Sequence, residues 1–481
     1  MNYFTNYFID FLIYTKYFYY FNKFLLLFAT NFLYYKINKQ INNILLVFLY
    51  NSITQNGCVL IKIIQWLLHN YKILDESNIY IELFNNFYEN CNIHSINYTE
   101  KILETELFYD FSNNIDIKYF DLNLDLSHNI YSGSIAQVYK GTLKNETVAV
   151  KIVHPEIDYQ FLFPKLYLKI FYFITMHINC LKNYRIPFNI NDFFDNMMLQ
   201  INMNNEFKNL NYYYNNYKNN PYVVIPKPIF SSQNILIMNY EDGKKFNETD
   251  IKNDYEKYNI IFLFLMFIKE ISLIKDYFHL DLHDANWKIR KYNDFYQIII
   301  YDFGYVIDNS NSKNFIQNIE YACSLDDYNV LVNTIYDVLK TNVNESEFKT
   351  NLINYLKENN KYPLYFNVSH KNIVKYLLSN KLLLKKNMIE ILISFYLNNK
   401  YVAKYIHEKE DYYEVNNNIN INDIISKKIE IINFCKKLNC FNELAEYIKK
   451  TYINNVTITK NYNYNNNNFD NLKSQASSIN I

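Results

Sequence analysis

The chain has 481 residues, in which 48 basic and 48 acidic side chains give a formal net charge of zero. This length allows two or three domains, and the balanced charge gives no sign of the basic surface that nucleic-acid binding requires. The composition is biased, with 50 Tyr, 37 Phe and only 5 Gly. The six cysteines show no Cys-x-x-Cys and no His/Cys spacing, which predicts reduced thiols in an intracellular protein rather than a zinc site.

The first segment, residues 1–36, is rich in aromatic residues and is interrupted by Lys16, Lys23 and Lys36. Its longest uncharged run is shorter than the roughly 20 residues that a membrane-spanning helix needs. It also lacks the small-residue cleavage site of a secretory signal and the Arg/Ser-rich character of a transit peptide. We therefore expect a buried or interfacial helix, and a lipid or membrane surface is a partner that it would suit.

Residues 37–120 have a helical pattern. Within them Lys62 and Gln65 stand three positions apart and share one helix face, while aliphatic residues occupy the other face. Taken alone, this pattern is typical of an amphipathic helix whose polar side faces water.

Residues 121–245 have the pattern of a small β-sheet lobe. Small residues occupy a strand–turn–strand position, and an alternating strand that ends in a lysine follows shortly after. The residues concerned are Ser132, Gly133, Ser134, Ala136, Val138, Ala149 and Lys151. Small side chains let backbone N–H groups approach phosphate oxygens, and a lysine on the next strand adds positive charge. This combination predicts a phosphate site.

The same lobe supplies two further candidate groups. A helix is predicted from about residue 191 to 217, and it offers Glu206 as the partner of Lys151. Short strands are expected at 222–225 and 234–238. The stretch from Met238 to Gly243 would then connect the two lobes and leave backbone groups free for a purine.

Residues 246–450 are predicted to form a mainly helical lobe. A helix over 255–277 leads to His279-Leu-Asp281-Leu-His283-Asp-Ala-Asn286, and a β-branched run then ends at Asp302-Phe-Gly. The run is long enough to be a strand that returns Asp302 beside Asn286. Two oxygen ligands from separate loops suit Mg²⁺, and Asp281 could accept a hydroxyl proton. Residues 451–481 are Asn-rich, and we expect them to be disordered.

Together these motifs resemble the UbiB/ADCK family of atypical protein-kinase-like proteins over residues 57–305. The resemblance implies an α+β, bilobed protein-kinase-like fold with a helical N-terminal extension. It also implies ATP or ADP with Mg²⁺ as cofactors, phosphotransferase or ATPase activity, and links to quinone or lipid metabolism. Asp281 and Lys151 would be catalytic, and Asn286 and Asp302 would hold the metal. The implied nucleotide site is Ser132, Gly133, Ser134, Ala136, Val138, Ala149, Lys151, Glu206, Met238, Lys62 and Gln65.

The chain departs from this family at three positions. Ile64 replaces a glycine in the extension motif, and Gln200 and Asn202 replace a pair of acidic residues. These changes put the family's self-inhibition in doubt more than its nucleotide binding. We therefore predict an extension helix that covers the cleft by apolar packing of Leu60, Ile61, Ile64 and Leu68 and is held less firmly by charge.

Two alternatives to an ATP-using enzyme stay open. One is a nucleotide-binding scaffold without turnover, although all four polar groups of the phosphate and metal site are present. The other is a small-molecule kinase of the aminoglycoside or choline type, which shares the His-x-Asp-x-x-x-x-Asn loop but fits Asp302-Phe-Gly and the Lys62/Gln65 helix poorly. The substrate and any protein partner are not predicted.

Overall fold

The computed structural model describes residues 2–40, 42–65, 93–111, 122–178, 190–283, 285–325, 327–359, 366–406 and 421–454. The predictions for Leu68 and for the tail beyond residue 454 fall outside these ranges. Within the described residues, no helix combines the length and apolar character that a membrane crossing requires.

Four helices precede the first strand in the described part of the chain. They are α1 (Asn2–Asn38), α2 (Asn43–Gln55), α3 (residues 58–65) and α4 (Ile96–Phe111). The side chain of Asn42 accepts hydrogen bonds from two backbone N–H groups at the start of α2 and so caps this helix. The buried residues Phe21, Leu49 and Ile53 then join α1 and α2 through one apolar cluster.

The small lobe is a five-stranded sheet with the order β1-β2-β3-β6-β5. Its strands are β1 (Leu122–Ser132), β2 (Ala136–Leu143), β3 (Glu146–Val153), β5 (Pro228–Ser231) and β6 (Ile235–Asn239). Alternation along β3 buries Val148, Val150 and Ile152 in a cluster that includes Leu107 of α4. The opposite face of the strand carries Lys151 toward the other lobe.

Three helices connect this sheet internally or flank it: α5 (Ile157–His177), α6 (Ile190–Gln200) and α7 (Met203–Tyr217). The single helix predicted over 191–217 is therefore wrong. It is interrupted because Asn202 adopts an extended backbone and its side chain accepts a hydrogen bond from the Asn204 N–H at 3.0 Å. Asn202 is thus the N-cap of α7, and Glu206 lies in the first turn of that helix.

The second lobe begins with two small sheets. Strand β4 (Val223–Val224) pairs in parallel with β9 (Phe295–Ile300), which forms an antiparallel hairpin with β8 (Trp287–Tyr292). Strand β7 (Tyr277–His279) pairs with β10 (Val306–Asp308). The helix predicted over 255–277 ends earlier, as α8 (Asp254–Leu273), because Tyr277 is needed in β7. The hairpin returns the chain as predicted, since the Tyr301 N–H donates to the Asn286 carbonyl at 2.8 Å.

The remainder of the second lobe is helical. Its described elements are α9 (Lys313–Leu325), α10 (Tyr328–Asp337), α11 (Glu345–Asn359), α12 (Phe366–Ser379), α13 (Met388–Ile406), α14 (Ile421–Leu438), α15 (Asn442–Ile448) and a π-helix (Lys449–Asn454). Of these, α9, α13 and α15 contact α8, whose Phe264, Met266 and Phe267 are fully buried. The predicted bilobed α+β, kinase-like fold is confirmed.

Candidate functional site

A cavity of about 390 Å³ lies between the five-stranded sheet, helix α3 and the loops around β7, β8 and β9. The structure brings nearly all of the residues predicted for the site to its walls: Lys62, Gln65, Gly133, Ser134, Ala136, Val138, Ala149, Lys151, Glu206, Met238, Asp281, Asn286 and Asp302. Ser132 is not on the wall and is 7% exposed beside it.

Lys151 projects from β3 into this cavity and meets two carboxylates. Its Nζ lies 2.9 Å from both Glu206 oxygens and 3.2 Å from Asp302 Oδ1. Glu206 is 2% exposed, so the pair is shielded from water. Burial alone would lower the pKa of Lys151, but Asp302 and Glu206 outweigh burial and raise it. The lysine therefore stays charged and can attract a phosphate.

Asp302 follows β9 and is held in a left-handed backbone conformation, with φ of 54°. Its Oδ1 accepts from the Gly304 N–H at 3.2 Å, and its carbonyl accepts from His279 Nε2 at 2.7 Å. Burial alone would raise the pKa of Asp302, but the positive charges of Lys151 and Lys62 lower it to about 2. A carboxylate that is ionised throughout the physiological range is a good ligand for a divalent cation.

His279 is a residue whose role the sequence did not reveal. It is completely buried, its Nε2 donates to the Asp302 carbonyl and its Nδ1 accepts from the Asp281 N–H at 3.2 Å. One imidazole thus fixes the two motifs relative to each other. Its position at the start of the His-x-Asp motif was the signal that could have indicated this role.

Asn286 is oriented so that it can serve as an oxygen ligand. Its Nδ2 donates to the Asp281 carbonyl at 2.8 Å, which directs the nitrogen into the loop and leaves the side-chain oxygen to bind a cation. Among the described residues no group of three or more His, Cys, Asp and Glu side chains could hold a metal. Asn286 and Asp302 nevertheless fit Mg²⁺, because this ion is often held by one or two protein oxygens together with phosphates and water.

Helix α3 brings Lys62 into the site, with its Nζ 3.0 Å from Asp281 Oδ2. Burial alone would lower the pKa of Lys62, but Asp281 and then Asp302 raise it. The prediction that α3 is held less firmly by charge therefore needs correction. The partner of Lys62 is the predicted catalytic carboxylate, so the change at Gln200 and Asn202 does not remove it.

The apolar packing of α3 also differs from the prediction. Leu60 and Ile61, with Ile64 beside them, pack against the cluster formed by α1 and α2 rather than over the cleft. The residues that face the main core are Cys58, Val59 and Ile63. The helix reaches the cavity with its polar side, because Lys62 and Gln65 both line the wall.

The end of the cavity near β3 and β6 has the apolar walls expected of a site for the purine base of a nucleotide. Ala149 on β3 lies opposite Met238 on β6, and both line the wall with Val138. Tyr301 was missed by the sequence analysis. Its hydroxyl donates to the Glu241 carbonyl at 2.7 Å and so fixes the chain between the lobes. Nothing in the abundance of tyrosine in this chain would have singled it out.

His283 lies beside Asp281 but is bound within its own loop. Its Nε2 is 3.8 Å from Asp281 Oδ1, which is longer than a normal hydrogen bond, and its Nδ1 accepts from the Ala285 N–H at 3.3 Å. This geometry fits a structural role for His283 within the loop.

The fold and this constellation define a kinase-like protein. Residues 103–334 match the family model of the ABC1 atypical kinase-like domain, so the predicted resemblance to the UbiB/ADCK family is confirmed. A probable serine/threonine-protein kinase, abkC of Dictyostelium discoideum, is 28% identical over 249 residues, which are 51% of this chain and 35% of the relative. The match thus spans about a third of that relative's length.

Solved structures show more distant likenesses. Rv3197 from Mycobacterium tuberculosis, in complex with erythromycin, is 16% identical with a TM-score of 0.39, over 55% of this chain and 67% of that chain. The Rio2 kinase of Chaetomium thermophilum, in its ADP/Mg²⁺-phosphoaspartate complex, is 10% identical with a TM-score of 0.28, over 65% and 81%.

Proposed function

We propose that this protein binds ADP or ATP with Mg²⁺ in the cavity between its lobes and is a phosphotransferase or ATPase. The observation that carries this proposal is the contact of Lys151 with both Glu206 and Asp302. The ammonium group of Lys151 thus lies between Glu206, a buried structural carboxylate, and Asp302, a carboxylate that can bind a metal. The family match supports a kinase-like, ATP-binding protein.

In this proposal each residue has a distinct task. Lys151 contacts the phosphates, while the backbone of Gly133 and Ser134 approaches them from above. Asn286 and Asp302 hold Mg²⁺, which neutralises charge that develops on the phosphoryl oxygens. Asp281 accepts the proton of the attacking hydroxyl or water, and Lys62, which pairs with its Oδ2, competes with that role.

A thermal-shift titration with ADP or ATP and Mg²⁺ tests this proposal. A ligand that binds the folded state at about 100 times its Kd stabilises it by about 2.7 kcal/mol. Asp302→Asn should reduce the Mg²⁺-dependent part of the shift, because it removes the negative charge from this ligand. Asparagine is the appropriate substitution because it tolerates the left-handed backbone better than alanine does. Asp294→Asn, in the exposed turn of the same hairpin, is the matched control.

Three outcomes would separate the alternatives. No shift at millimolar nucleotide, or an equal shift in Asp302→Asn, would overturn nucleotide binding through this site. A shift without any ATP hydrolysis or phosphoryl transfer would favour the scaffold. Transfer to an aminoglycoside or choline, tested directly, would favour the small-molecule kinase.

The exposed face of α1 supports a role at a lipid surface. Large apolar residues on this helix lie in solvent, and Tyr7, Phe8, Phe11, Tyr19, Leu26 and Ile37 are each more than 60% exposed. The helix carries three lysines and one aspartate, so its charge suits anionic lipid. We propose that α1 lies on the membrane surface and that the protein acts on lipid or quinone-related molecules there.

Sedimentation with vesicles tests this attachment. The protein should co-sediment with vesicles that contain phosphatidylserine. The double variant Phe11→Gln, Leu26→Gln should stay in the supernatant and keep the wild-type melting temperature. Retention that is unaffected by these exposed substitutions would show that α1 is not the attachment surface.

A further inference from the structure

A buried row of polar side chains links the extension to the loop that precedes β2. It consists of His94, Thr99, Gln137, Tyr139 and His154, of which none is more than 8% exposed. His94 and Thr99 come from the segment around the start of α4, Gln137 and Tyr139 from β2, and His154 from the residue after β3. None of these five was among the residues predicted for the site.

The row is continuous at hydrogen-bond distance. Gln137 Nε2 lies 2.7 Å from the Tyr139 hydroxyl, which lies 2.7 Å from Thr99 Oγ1. Thr99 Oγ1 is 2.9 Å from His94 Nε2, and His94 Nδ1 is 2.9 Å from His154 Nδ1.

The row ends on the loop itself, where His154 Nε2 is 2.9 Å from the Gly133 carbonyl. At the other end of the row, the backbone N–H of His94 donates to Gln137 Oε1 at 3.1 Å, which orients the Gln137 side-chain amide.

The two ends fix the position of every proton. A carbonyl can only accept, so His154 Nε2 carries a proton, and in a neutral ring Nδ1 must then accept. His94 Nδ1 is therefore the donor, and its Nε2 accepts from Thr99. Thr99 in turn accepts from Tyr139, which accepts from the Gln137 amide. The five hydrogen bonds all run in one direction and require both imidazoles to be neutral.

The electrostatics of the row agree with neutral rings. Burial, and then the neighbouring His154, lower the pKa of His94 to about 4. Burial also lowers the pKa of His154, and it outweighs the opposing effect of the Gly133 carbonyl. A proton added to His154 would place two N–H groups against each other between the rings, and a proton added to His94 Nε2 would remove the acceptor of the Thr99 hydroxyl.

The loop that this row holds forms a wall of the cavity. Gly133, Ser134, Ile135 and Ala136 all line it. His154 makes two hydrogen bonds to the loop, because its backbone N–H also donates to the Ile135 carbonyl at 2.9 Å. The loop closes on itself through the Gly133 N–H, which donates to the Ala136 carbonyl at 3.0 Å. Loss of the Nε2 contact would free one end of a loop that must approach a ligand closely.

We infer that His94 and His154 are positioning residues that hold the 133–136 loop ready for nucleotide, so that the segment before α4 is part of the nucleotide site. This inference rests on the proposed function. His94 and Thr99 both precede residue 103, where the kinase-like domain match begins. The domain alone therefore lacks the support that orients its own loop.

Two substitutions of His154 separate positioning from general stability. Asparagine places an oxygen near the position of Nδ1 and can still accept from His94, but it cannot reach the Gly133 carbonyl. Glutamine places a nitrogen near the position of Nε2 and can still donate to Gly133, but it no longer accepts from His94. His154→Asn should weaken ADP affinity about tenfold, as expected for one lost buried hydrogen bond. His154→Gln should weaken it less, by about threefold, because it keeps the contact with Gly133 and loses only the support from His94.

Hydrogen exchange without nucleotide provides a readout that does not depend on the proposed function. Amides 133–136 should exchange faster in His154→Asn, and by a smaller factor in His154→Gln, which keeps the Gly133 contact but loses His94. Leu352→Ala, in the core of the helical lobe, is a control that lowers the melting temperature without changing exchange in this loop. Equal loop exchange and equal affinity in the two His154 variants would overturn the inference.

The ring tautomers give a spectroscopic test on the unmodified protein. Imidazole ¹⁵N shifts should assign the proton to Nδ1 in His94 and to Nε2 in His154. Two Nε2–H rings, or a charged ring at pH 7, would overturn the hydrogen-bond row. If the tautomers and loop exchange are as expected but the wild type binds no nucleotide, the proposed function fails while the positioning of the loop stands.

Discussion

The sheet lobe and the helical extension each send one lysine into the cleft, and the two lysines are held differently. Lys151 contacts Glu206 and Asp302, and Glu206 is 2% exposed. Lys62 contacts Asp281, the carboxylate that would accept the substrate proton. Lys151 is thus held by a buried structural carboxylate, Glu206. Lys62 is instead paired with Asp281, a carboxylate that the proposed reaction needs.

This difference separates a permanent part of the site from a competing one. Nucleotide phosphates can be added beside Lys151 without breaking its contact with Glu206. A hydroxyl acceptor has to compete with Lys62 for Asp281. The comparison predicts that loss of Lys151 abolishes nucleotide binding, whereas loss of Lys62 leaves Asp281 available to accept a proton.

Lys151→Met should have the largest effect, because it leaves Glu206 buried without its partner. Removing one member of a buried ion pair costs about 3–5 kcal/mol of unfolding free energy. Nucleotide affinity should fall as well. Chemical denaturation and the thermal-shift titration measure the two effects.

Lys227→Met, an exposed lysine between β4 and β5, is the matched control and should change neither quantity. Lys151→Met with Glu206→Gln should recover part of the lost stability without restoring nucleotide binding. Equal effects of Lys151→Met and Lys227→Met would show that the lysine of the sheet is not a permanent part of the site.

Glu390, in the first turn of α13, sharpens the comparison by showing a buried carboxylate without such a partner. It is 8% exposed, and burial raises its pKa from 4.5 to about 7. A carboxyl whose pKa is raised in the folded state binds more protons than in the unfolded state, so stability falls as pH rises from about 4.5 to about 7.

Glu390→Gln should therefore stabilise the protein above pH 7, by at most about 3 kcal/mol, which corresponds to that pKa difference. It should also flatten the pH dependence of unfolding between pH 5 and 7. Glu358→Gln, exposed at the end of α11, should do neither. A pH profile identical in the two variants would show that Glu390 is ionised in the folded protein.

Much of the site could be predicted because its chemistry lies in short motifs. The spacing of Asp281 and Asn286, followed by a β-branched run and Asp302, contains both the ligands and the hairpin that joins them. Lys151 was predictable because alternation along β3 forces it away from Val150 and Ile152. These are local rules, and the sequence obeys them.

The errors concern contacts that no local rule describes. The break at Asn202 was missed because an asparagine in an Asn-rich chain carries little information, although here it caps α7. Which face of α3 meets α1 and which meets the cleft depends on the packing of helices far apart in sequence. The same is true of the His94–His154 contact, which joins residues 60 positions apart.

Lys62→Met should have the smallest effect on stability, about 1–2 kcal/mol, because Asp281 lines the cavity and is 20% exposed, so that water can replace part of the lost contact. Its effect on function should have the opposite sign to that of Lys151→Met. Asp281 becomes free to accept a proton, so ATP turnover should rise, and amides 58–65 should exchange faster because α3 has lost its charged contact with the second lobe. Lys101→Met, exposed on α4, should change neither turnover nor exchange. Turnover that falls in Lys62→Met as it does in Lys151→Met would mean that both lysines serve the nucleotide, and the distinction between a permanent and a competing lysine would have to be abandoned.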